Sequence, residues 1–319
     1  MSKNRGIGVA ALVAPMLLAG GCATYDARIP ESLSPRVELA DTPFHPQLEN
    51  HCGPAALTTV LEASGIRPQY DVVAERVYVP DLEGSLQVEM MAAARHFGRI
   101  PFRLPGNLAA VMAEVEGGRP VLILQNLRIR SLPAWHYAVV IGYDRDDDRI
   151  LMRSGTEAVQ ETPVSKWMRQ WDWASRWAIV VLAPGELPAQ SDRTAIFRAL
   201  ADFDETAEPE SRLRAWAAAA ERWPDAALVH MGLGNAHYEL GKHGAAVDSF
   251  RQALNHHPEH WPARINLTQV LLELHRPCEG HRVLEAGMMP LDHPLVETHG
   301  KLSIELEERC SLVEDPRKK

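Results

Sequence analysis

The C-terminal part of the chain carries a pattern that repeats every 34 residues, and this pattern limits the possible folds more than any other feature. Between residues 227 and 260 the small and apolar positions of the repeat are Leu233, Gly234, Tyr238, Gly241, Ala246, Phe250, Ala253 and Pro258. Helical hairpins need small residues where two helices cross and a proline where the next hairpin begins. The pattern predicts an all-α domain of stacked helical pairs over residues 191–315.

The neighbouring stretches carry the same pattern more weakly. One period earlier the matching positions are Trp216, Ala219 and Pro224, and one period later they are Leu267, Gly280, Leu284 and Gly287. The pattern resembles the tetratricopeptide-repeat consensus, whose outer repeats are less regular because they act as caps. The resemblance implies a surface that recruits a protein partner or substrate. An ordinary helical bundle is the alternative.

Residues 42–185 mix helical and strand periods and predict an α+β domain. Two helices are expected first, one that begins near Pro54 and ends at Gly65 and one that ends at Gly98. Four apolar runs rich in β-branched residues follow, and they predict an antiparallel sheet. The runs cover residues 120–125, 136–143, 149–154 and 177–184.

The first 21 residues have the three-part composition of a secretory signal: Lys3 and Arg5, then an apolar stretch, then small residues that end at Cys22. Leu-Ala-Gly-Gly-Cys resembles the bacterial lipoprotein box, which implies that Cys22 is acylated and becomes the new N-terminus. Ala23 follows instead of the aspartate of inner-membrane retention, so the resemblance implies an anchor in the outer membrane that faces the periplasm. Residues 22–41 are expected to form a tether. A plain signal peptide is the alternative.

Composition excludes one class of partner. The chain has 33 Lys and Arg against 42 Asp and Glu, a net charge of −9, and its one basic run is at the last three positions, so nucleic acid is not expected. No cofactor or metal is expected either. His256, His257 and His260 surround the proline between two repeats and predict a solvated turn, and the acidic run 144–148 predicts a hairpin tip.

Cys52 is the candidate nucleophile, because it precedes Gly-Pro at the start of a predicted helix. The helix dipole and the free N–H groups at that end favour an anion, so we expect a lowered pKa for this thiol. A thiol nucleophile also needs a base that can protonate the leaving group. His136 is the best candidate, since it opens an apolar strand after Trp135.

Together, Gln47, the Cys-Gly-Pro-Ala-Ala-Leu segment from Cys52 and the Trp-His-Tyr-Ala-Val-Val-Ile-Gly-Tyr segment around His136 resemble a known family. It comprises the papain-like peptidases that process double-glycine leaders of bacteriocins, here in a free-standing lipoprotein branch fused to tetratricopeptide repeats. The resemblance implies that Cys52 is the nucleophile and His136 the general base and acid. It also implies that Gln47 is the side-chain donor of the oxyanion hole.

Two positions depart from the family pattern. Gln47 lies five positions before the cysteine, where the transporter-fused relatives usually have six, so Asn50 is a reserve donor. Ser154 stands where relatives have the aspartate that orients the imidazole, and an uncharged group stabilises an imidazolium less well. If the hairpin turn spans residues 144–148, Tyr143 pairs with Arg149 and Ala138 with Ser154. This register places Ser154 on the same face as His136.

These features favour an exported, lipid-anchored cysteine peptidase that acts on a protein or peptide. A catalytically degenerate lipoprotein scaffold that binds a protein partner is a second interpretation, which the serine at position 154 favours. Acyl or amide transfer to an amine is a third, since it would use the same thiol.

The two remaining cysteines, Cys278 and Cys310, are expected to form a disulfide. Cys278 lies near the start of a predicted helix over residues 277–288, and Cys310 near the end of a capping helix over residues 295–310. Adjacent helices in such arrays run antiparallel, so the start of one lies beside the end of the next. Two independent buried thiols are the alternative.

Overall fold

The computed structural model describes residues 28–47 and 50–314. Within these residues the strands are β1 (Arg36–Glu38), β2 (Ile100–Arg103), β3 (Val121–Asn126), β4 (Trp135–Asp144), β5 (Arg149–Ser154), β6 (Glu157–Pro163) and β7 (Ala178–Leu182). The helices of the first part are α1 (Cys52–Ala63), α2 (Tyr70–Val77), α3 (Gln87–His96), α4 (Leu108–Glu116) and α5 (Val164–Asp172). Those of the second part are α6 (Arg193–Asp204), α7 (Pro209–Arg222), α8 (Ala227–Glu239), α9 (His243–His256), α10 (Trp261–Glu273), α11 (Pro277–Glu285) and α12 (Val296–Glu314).

The described strands form one antiparallel sheet in the order β2-β7-β3-β4-β5-β6, with β1 paired to one end of β4. The α+β prediction is confirmed, and the four predicted apolar runs correspond to β3, β4, β5 and β7. The predicted order of helices first and strands after is wrong in part, because β1 precedes α1 and β2 lies between α3 and α4. Both are short strands of three and four residues, too short for alternation to be visible in the sequence.

The central strand β4 separates two apolar layers. Ala138 and Val140 belong to a core cluster that also includes buried residues of α4 and α5. Tyr137 and Val139 belong to the cluster on the other face, where α1 packs. Because side chains alternate along a strand, both faces of β4 are buried and its sequence is continuously apolar.

The hairpin of β4 and β5 differs from the predicted register near its tip. Arg149 pairs with Asp144, whereas the predicted partner of Arg149 was Tyr143. A bulge between Val140 and Gly142 then shifts the pairing by one residue, so that Val139 lies opposite Arg153. Continued by one residue, this register gives the expected pairing of Ala138 with Ser154. The bulge could not be read from the sequence because it adds one apolar residue to an apolar run.

Residues 191–314, the described part after the sheet, form helices and no strands, as the repeat pattern predicts. Gly234 of α8 lies against the ring of Phe250 in α9, and Gly232 lies against Trp216 in α7. A side chain at either glycine would collide with these rings, which is why the crossing points need small residues. The predicted helices over residues 277–288 and 295–310 correspond to α11, which ends earlier, and α12, which ends later.

The helical part and the sheet share one hydrophobic core. Ile196 and Leu200 of α6 and Trp216 of α7 belong to the same cluster as Phe102 of β2. The connection between the two parts is also held in place, since the buried carboxylate of Glu114 accepts a hydrogen bond from the Ala189 N–H at 2.6 Å. The chain therefore has no flexible linker between residues 185 and 191.

The described part of the expected tether is folded onto the domain. Ile29 is only 4% exposed, and β1 pairs with the last residues of β4. Arg153 holds the segment after β1, because its guanidinium donates to the carbonyl groups of Ala40 and Thr42. The predicted signal peptide and Cys22 lie outside the described residues. No helix in residues 28–47 and 50–314 is long and apolar enough to cross a membrane.

A disulfide joins Cys278, at the start of α11, to Cys310, near the end of α12. Their Cα atoms are 4.7 Å apart. This separation lies within the range of about 4.4–6.8 Å that a disulfide allows. The disulfide therefore ties α12, the last described helix, to α11.

Candidate functional site

Cys52 is the first residue of α1 and is half-buried. His51 precedes it in the N-cap position but its side chain makes no capping hydrogen bond. Pro54 has no N–H, so the free donors of the first turn are the N–H groups of Cys52 and Gly53. Both interact with the Cys52 thiol, and the N–H of Tyr137 in β4 is a third donor to it. Tyr137 directly follows His136, so the thiol lies beside the strand that carries the candidate base.

The expected lowering of the Cys52 pKa is wrong in this structure. Burial raises the pKa of the thiol, although the N–H groups of Tyr137, Gly53 and Cys52 oppose that rise. The sequence indicates the helix start but not the depth of the apolar surroundings. Desolvation disfavours the thiolate more than three amide donors favour it.

His136 is held by Ser154. The imidazole Nε2 and the Ser154 hydroxyl oxygen share a hydrogen bond of 2.9 Å, and Ser154 is only 6% exposed. Sequence reasoning placed the two residues diagonally on one face, and the structure brings them into direct contact. Burial lowers the pKa of the His136 imidazole. Cys52 and His136 are therefore both favoured in their neutral forms.

Gln47 and Asn50 lie at different places around the thiol. The Gln47 side-chain amide donates to the Tyr137 carbonyl at 3.4 Å, and its backbone N–H donates to the carbonyl of Gly155 at 3.0 Å. Gln47 is thus beside Ser154, in a small pocket that both residues line. Asn50 has a left-handed backbone with φ of 60° and lines the open cleft together with Cys52.

This cleft has a volume of about 850 Å³ and lies between two loops. One wall is the segment Leu82–Gln87, and the other comes from Arg128 and the segment Pro133–Trp135. Exposed apolar side chains border both walls, and they include Leu82, Leu86 and Trp135 at 58%, 45% and 55% exposure. The cleft can hold an extended peptide beside Cys52, and its apolar borders favour apolar side chains.

Two contacts beside the thiol were not predicted. Gly53 lies so close to Ser85 that a side chain at this position would collide with it, and the Tyr137 hydroxyl donates to the Ser85 carbonyl at 3.2 Å. These contacts fix the cleft wall to α1 and β4. The glycine after Cys52 was the available signal, since a glycine in a helix often marks a close approach.

The ring of His51 packs against two tyrosines, a further contact that the sequence does not indicate. Its centroid is 4.7 Å from that of Tyr78, and its Nδ1 is 3.4 Å from the Tyr70 hydroxyl. The imidazole is thereby held away from the N–H groups at the start of α1, which stay free for the thiol.

The other candidate clusters have structural roles. His260 caps α10, because its Nδ1 accepts from the Ala263 N–H, while His256 and His257 are exposed at the turn as predicted. Asp144 accepts from the N–H groups of Asp146 and Asp147 and so closes the hairpin tip. Among residues 28–47 and 50–314, no group of three His, Cys, Asp or Glu side chains is arranged to hold a metal ion.

Comparison with known proteins agrees with the fold of the first part. Residues 39–178 match the Peptidase_C39 like family, and this segment contains both Cys52 and His136. The match covers less than half of the chain and ends before the helices α6–α12. No curated protein matches the chain.

Solved structures are also similar to this chain at low sequence identity, and three of them illustrate the range. A C39-like protein from Bacillus anthracis is 17% identical with a TM-score of 0.42, and the match covers 47% of this chain and 98% of that one. The peptidase domain of Streptococcus ComA, a bifunctional ABC transporter of a quorum-sensing pathway, is 17% identical with a TM-score of 0.36 and coverages of 44% and 98%. A double-glycine-motif protease from an AMS/PCAT transporter, solved with its leader peptide, is 19% identical with a TM-score of 0.33 and coverages of 45% and 91%.

Proposed function

We propose that this protein is a cysteine peptidase that hydrolyses an amide bond in a protein or peptide, with Cys52 as nucleophile and His136 as general base and acid. One observation carries the proposal. The half-buried Cys52 thiol, at the uncapped start of α1, lies beside β4, and the His136 imidazole of β4 is hydrogen-bonded to Ser154 of β5. The match of residues 39–178 to the Peptidase_C39 like family supports the same chemistry.

The mechanism starts from a neutral thiol and a neutral imidazole, as the directions of their pKa shifts favour. His136 removes the thiol proton as the Cys52 sulfur attacks the substrate carbonyl carbon. The resulting oxyanion accepts hydrogen bonds from the Cys52 N–H and from the Gln47 amide, which must turn away from the Tyr137 carbonyl to donate. The imidazolium then protonates the leaving amine, and water hydrolyses the acyl-enzyme after it gives a proton to His136.

The scaffold interpretation remains the second candidate, and the serine at position 154 favours it. A hydroxyl carries no charge to stabilise the imidazolium, and the thiol is not activated at rest. Transfer of the acyl group to an amine would use the same residues and differ only in the final acceptor.

Incubation of the full-length protein with a library of quenched fluorescent peptides tests the proposal. We expect hydrolysis by the wild type, no hydrolysis by Cys52→Ala, and an acyl-enzyme on Cys52 that intact-mass analysis detects in rapidly quenched samples. Equal rates for wild type and Cys52→Ala would contradict the assignment. A product joined to an added amine would indicate transfer.

We further propose that Cys22 carries a lipid that anchors the protein to the outer membrane, facing the periplasm, and that the helices after residue 190 are tetratricopeptide repeats that recruit the substrate or a protein partner. The disulfide of α11 and α12 supports an oxidising compartment. Cell fractionation with metabolic acyl labelling tests the anchor. Cys22→Ser should release the protein from the membrane, and membrane association without label would point to a protein partner instead.

A further inference from the structure

The hydrogen bond between His136 and Ser154 raises the question of where the Ser154 proton goes. For Nδ1 of the imidazole to accept the thiol proton, Nε2 must carry the hydrogen and donate it to the Ser154 oxygen. A hydroxyl accepts better when its own proton is donated onward, because linked hydrogen bonds polarise one another. An acceptor beyond Ser154 would therefore strengthen the orientation of His136.

The turn after Ser154 supplies a carboxylate at this place. Gly155 and Thr156 form a two-residue turn, with Gly155 at φ of 59°, and Ser154 pairs directly with Glu157 of β6. Directly opposed residues in antiparallel strands share one face of the sheet, with Cβ atoms about 4.5–5.5 Å apart. The Glu157 side chain thus starts on the face that carries Ser154 and His136, but it is exposed there. In the structure the Ser154 hydroxyl is hydrogen-bonded to His136 and not to Glu157.

A bulge in β6 produces this pairing. Further along the hairpin Met152 pairs with Gln160, a register that would place Ala158 opposite Ser154. The pairing shifts by one residue between Met152 and Ser154, and Glu157 takes that place. The other glutamate of the strand, Glu161, pairs with Leu151, whose side chain packs in the cluster on the opposite face.

We propose that Glu157 is a positioning residue that acts through Ser154, in place of a carboxylate in direct contact with the imidazole. In the proposed arrangement the exposed Glu157 side chain rotates towards Ser154 and accepts a hydrogen bond from its hydroxyl. His136 Nε2–H donates to the Ser154 oxygen, and Nδ1 keeps its lone pair for the Cys52 proton. When the imidazolium forms, the charge of Glu157 stabilises it through one hydroxyl. The proposal rests on the proposed peptidase function and adds a residue that the function itself does not require.

The test compares Glu157→Gln with Glu161→Gln, a control on the same strand, in the full-length protein. The imidazole of His136 is titrated by NMR, with its signal assigned by its loss in His136→Gln, and kcat and KM are measured on a cleaved peptide. Glu157→Gln should lower the pKa of His136 and lower kcat by about threefold to tenfold, the equivalent of a half to one pKa unit. KM should not change, Glu157→Asp should restore part of the effect, and Glu161→Gln should have none.

The same comparison in a Ser154→Ala background tests whether Glu157 acts on His136 through the Ser154 hydroxyl. Without the hydroxyl, Glu157→Gln should no longer change the His136 titration. An unchanged titration in Glu157→Gln, or an equal shift with and without Ser154, overturns the proposal. The titration needs no turnover, so a protein without hydrolytic activity would refute the proposed function while the NMR result still decides the role of Glu157.

Discussion

At the scale of single residues, the resting state of the thiol and imidazole determines how this site can react. Burial raises the pKa of the Cys52 thiol and lowers the pKa of the His136 imidazole, so both side chains are favoured in their neutral forms. An ion pair of thiolate and imidazolium would need both shifts to have the opposite sign. In the proposed mechanism, the attack of the thiol on a substrate is therefore coupled to proton transfer.

The first prediction concerns the alkylation of Cys52 by iodoacetamide at different pH values. Because its pKa is raised, the thiolate fraction at pH 7 is smaller than that of a free thiol with a pKa of about 8.5. We expect slower alkylation than that of a model thiol at pH 7 and a rate that still rises above pH 8.5. Quantification of the Cys52 peptide by mass spectrometry measures it, and a plateau below pH 7 would indicate an ion pair.

The second prediction concerns Ser154. A carboxylate at this position would stabilise the imidazolium directly, so Ser154→Asp should raise the pKa of His136 and speed the reaction of Cys52 at pH 7. Ser154→Ala should slow it, because the hydrogen bond to Nε2 is lost. Alkylation rates and peptide turnover measure both variants. No gain with aspartate and a loss with alanine would show that the site needs the hydroxyl itself.

At the scale of elements, the contacts between neighbouring helices explain why particular positions are small or covalently joined. Gly234 and Gly232 let two aromatic rings approach the backbone of α8. The disulfide joins α11 and α12, the last two described helices.

The third prediction is that Gly234→Val lowers the unfolding free energy by about 1–3 kcal/mol, since its side chain would collide with Phe250. Gly244→Ala in α9 is the matched control, because a methyl group there meets open space. It should leave stability unchanged or raise it by up to about 1 kcal/mol through its helix propensity. Urea unfolding of both variants measures the difference, and equal destabilisation would contradict the crossing contact.

The fourth prediction is that Cys310→Ser lowers the unfolding free energy by about 3–4 kcal/mol in the chain-entropy description of a loop of this size. Hydrogen exchange should show the loss first in α12, the last described helix. Non-reducing peptide mapping of the wild type provides the control for oxidation. If the wild type contains the disulfide and Cys310→Ser protects the amides of α12 equally well, packing alone holds the helix.

At the scale of the whole molecule, the sheet and the helical part share a core, so we expect them to unfold as one unit. Leu200 of α6 is fully buried in the cluster that includes Phe102 of β2. Arg222 of α7 donates to the carbonyl of Pro188 in the connection, and Glu114 accepts from Ala189 beside it. A partner bound to the helices would therefore be held at a fixed position relative to the cleft.

The fifth prediction follows from this shared core. Leu200→Ala should lower the unfolding free energy by about 2–5 kcal/mol, and calorimetry should show one transition at a lower midpoint temperature. Alkylation of Cys52 in urea should report the same loss of stability. Cys52 should become accessible at a lower urea concentration, although it lies in the other part of the chain. Arg198→Ala, exposed on the same helix, is the control and should change little. Two separate transitions, with only one shifted, would contradict a common folding unit.

The sequence by itself determined the helices of the 34-residue pattern, four central strands and the place of Cys52 at the start of a helix. Each is specified by local chemistry: crossing points need small residues, buried strands need apolar runs, and a proline fits the first turn of a helix because it has no N–H. The expected disulfide partners also followed from helix order alone.

Only the tertiary structure decided the electrostatics and the registers. The depth of burial of Cys52 reversed its expected pKa shift, since desolvation depends on side chains contributed by distant elements. Two one-residue bulges set the pairs of β4, β5 and β6, and the second one places Glu157 opposite Ser154. A bulge leaves little trace in a sequence, because it inserts one residue into a pattern whose period is only two.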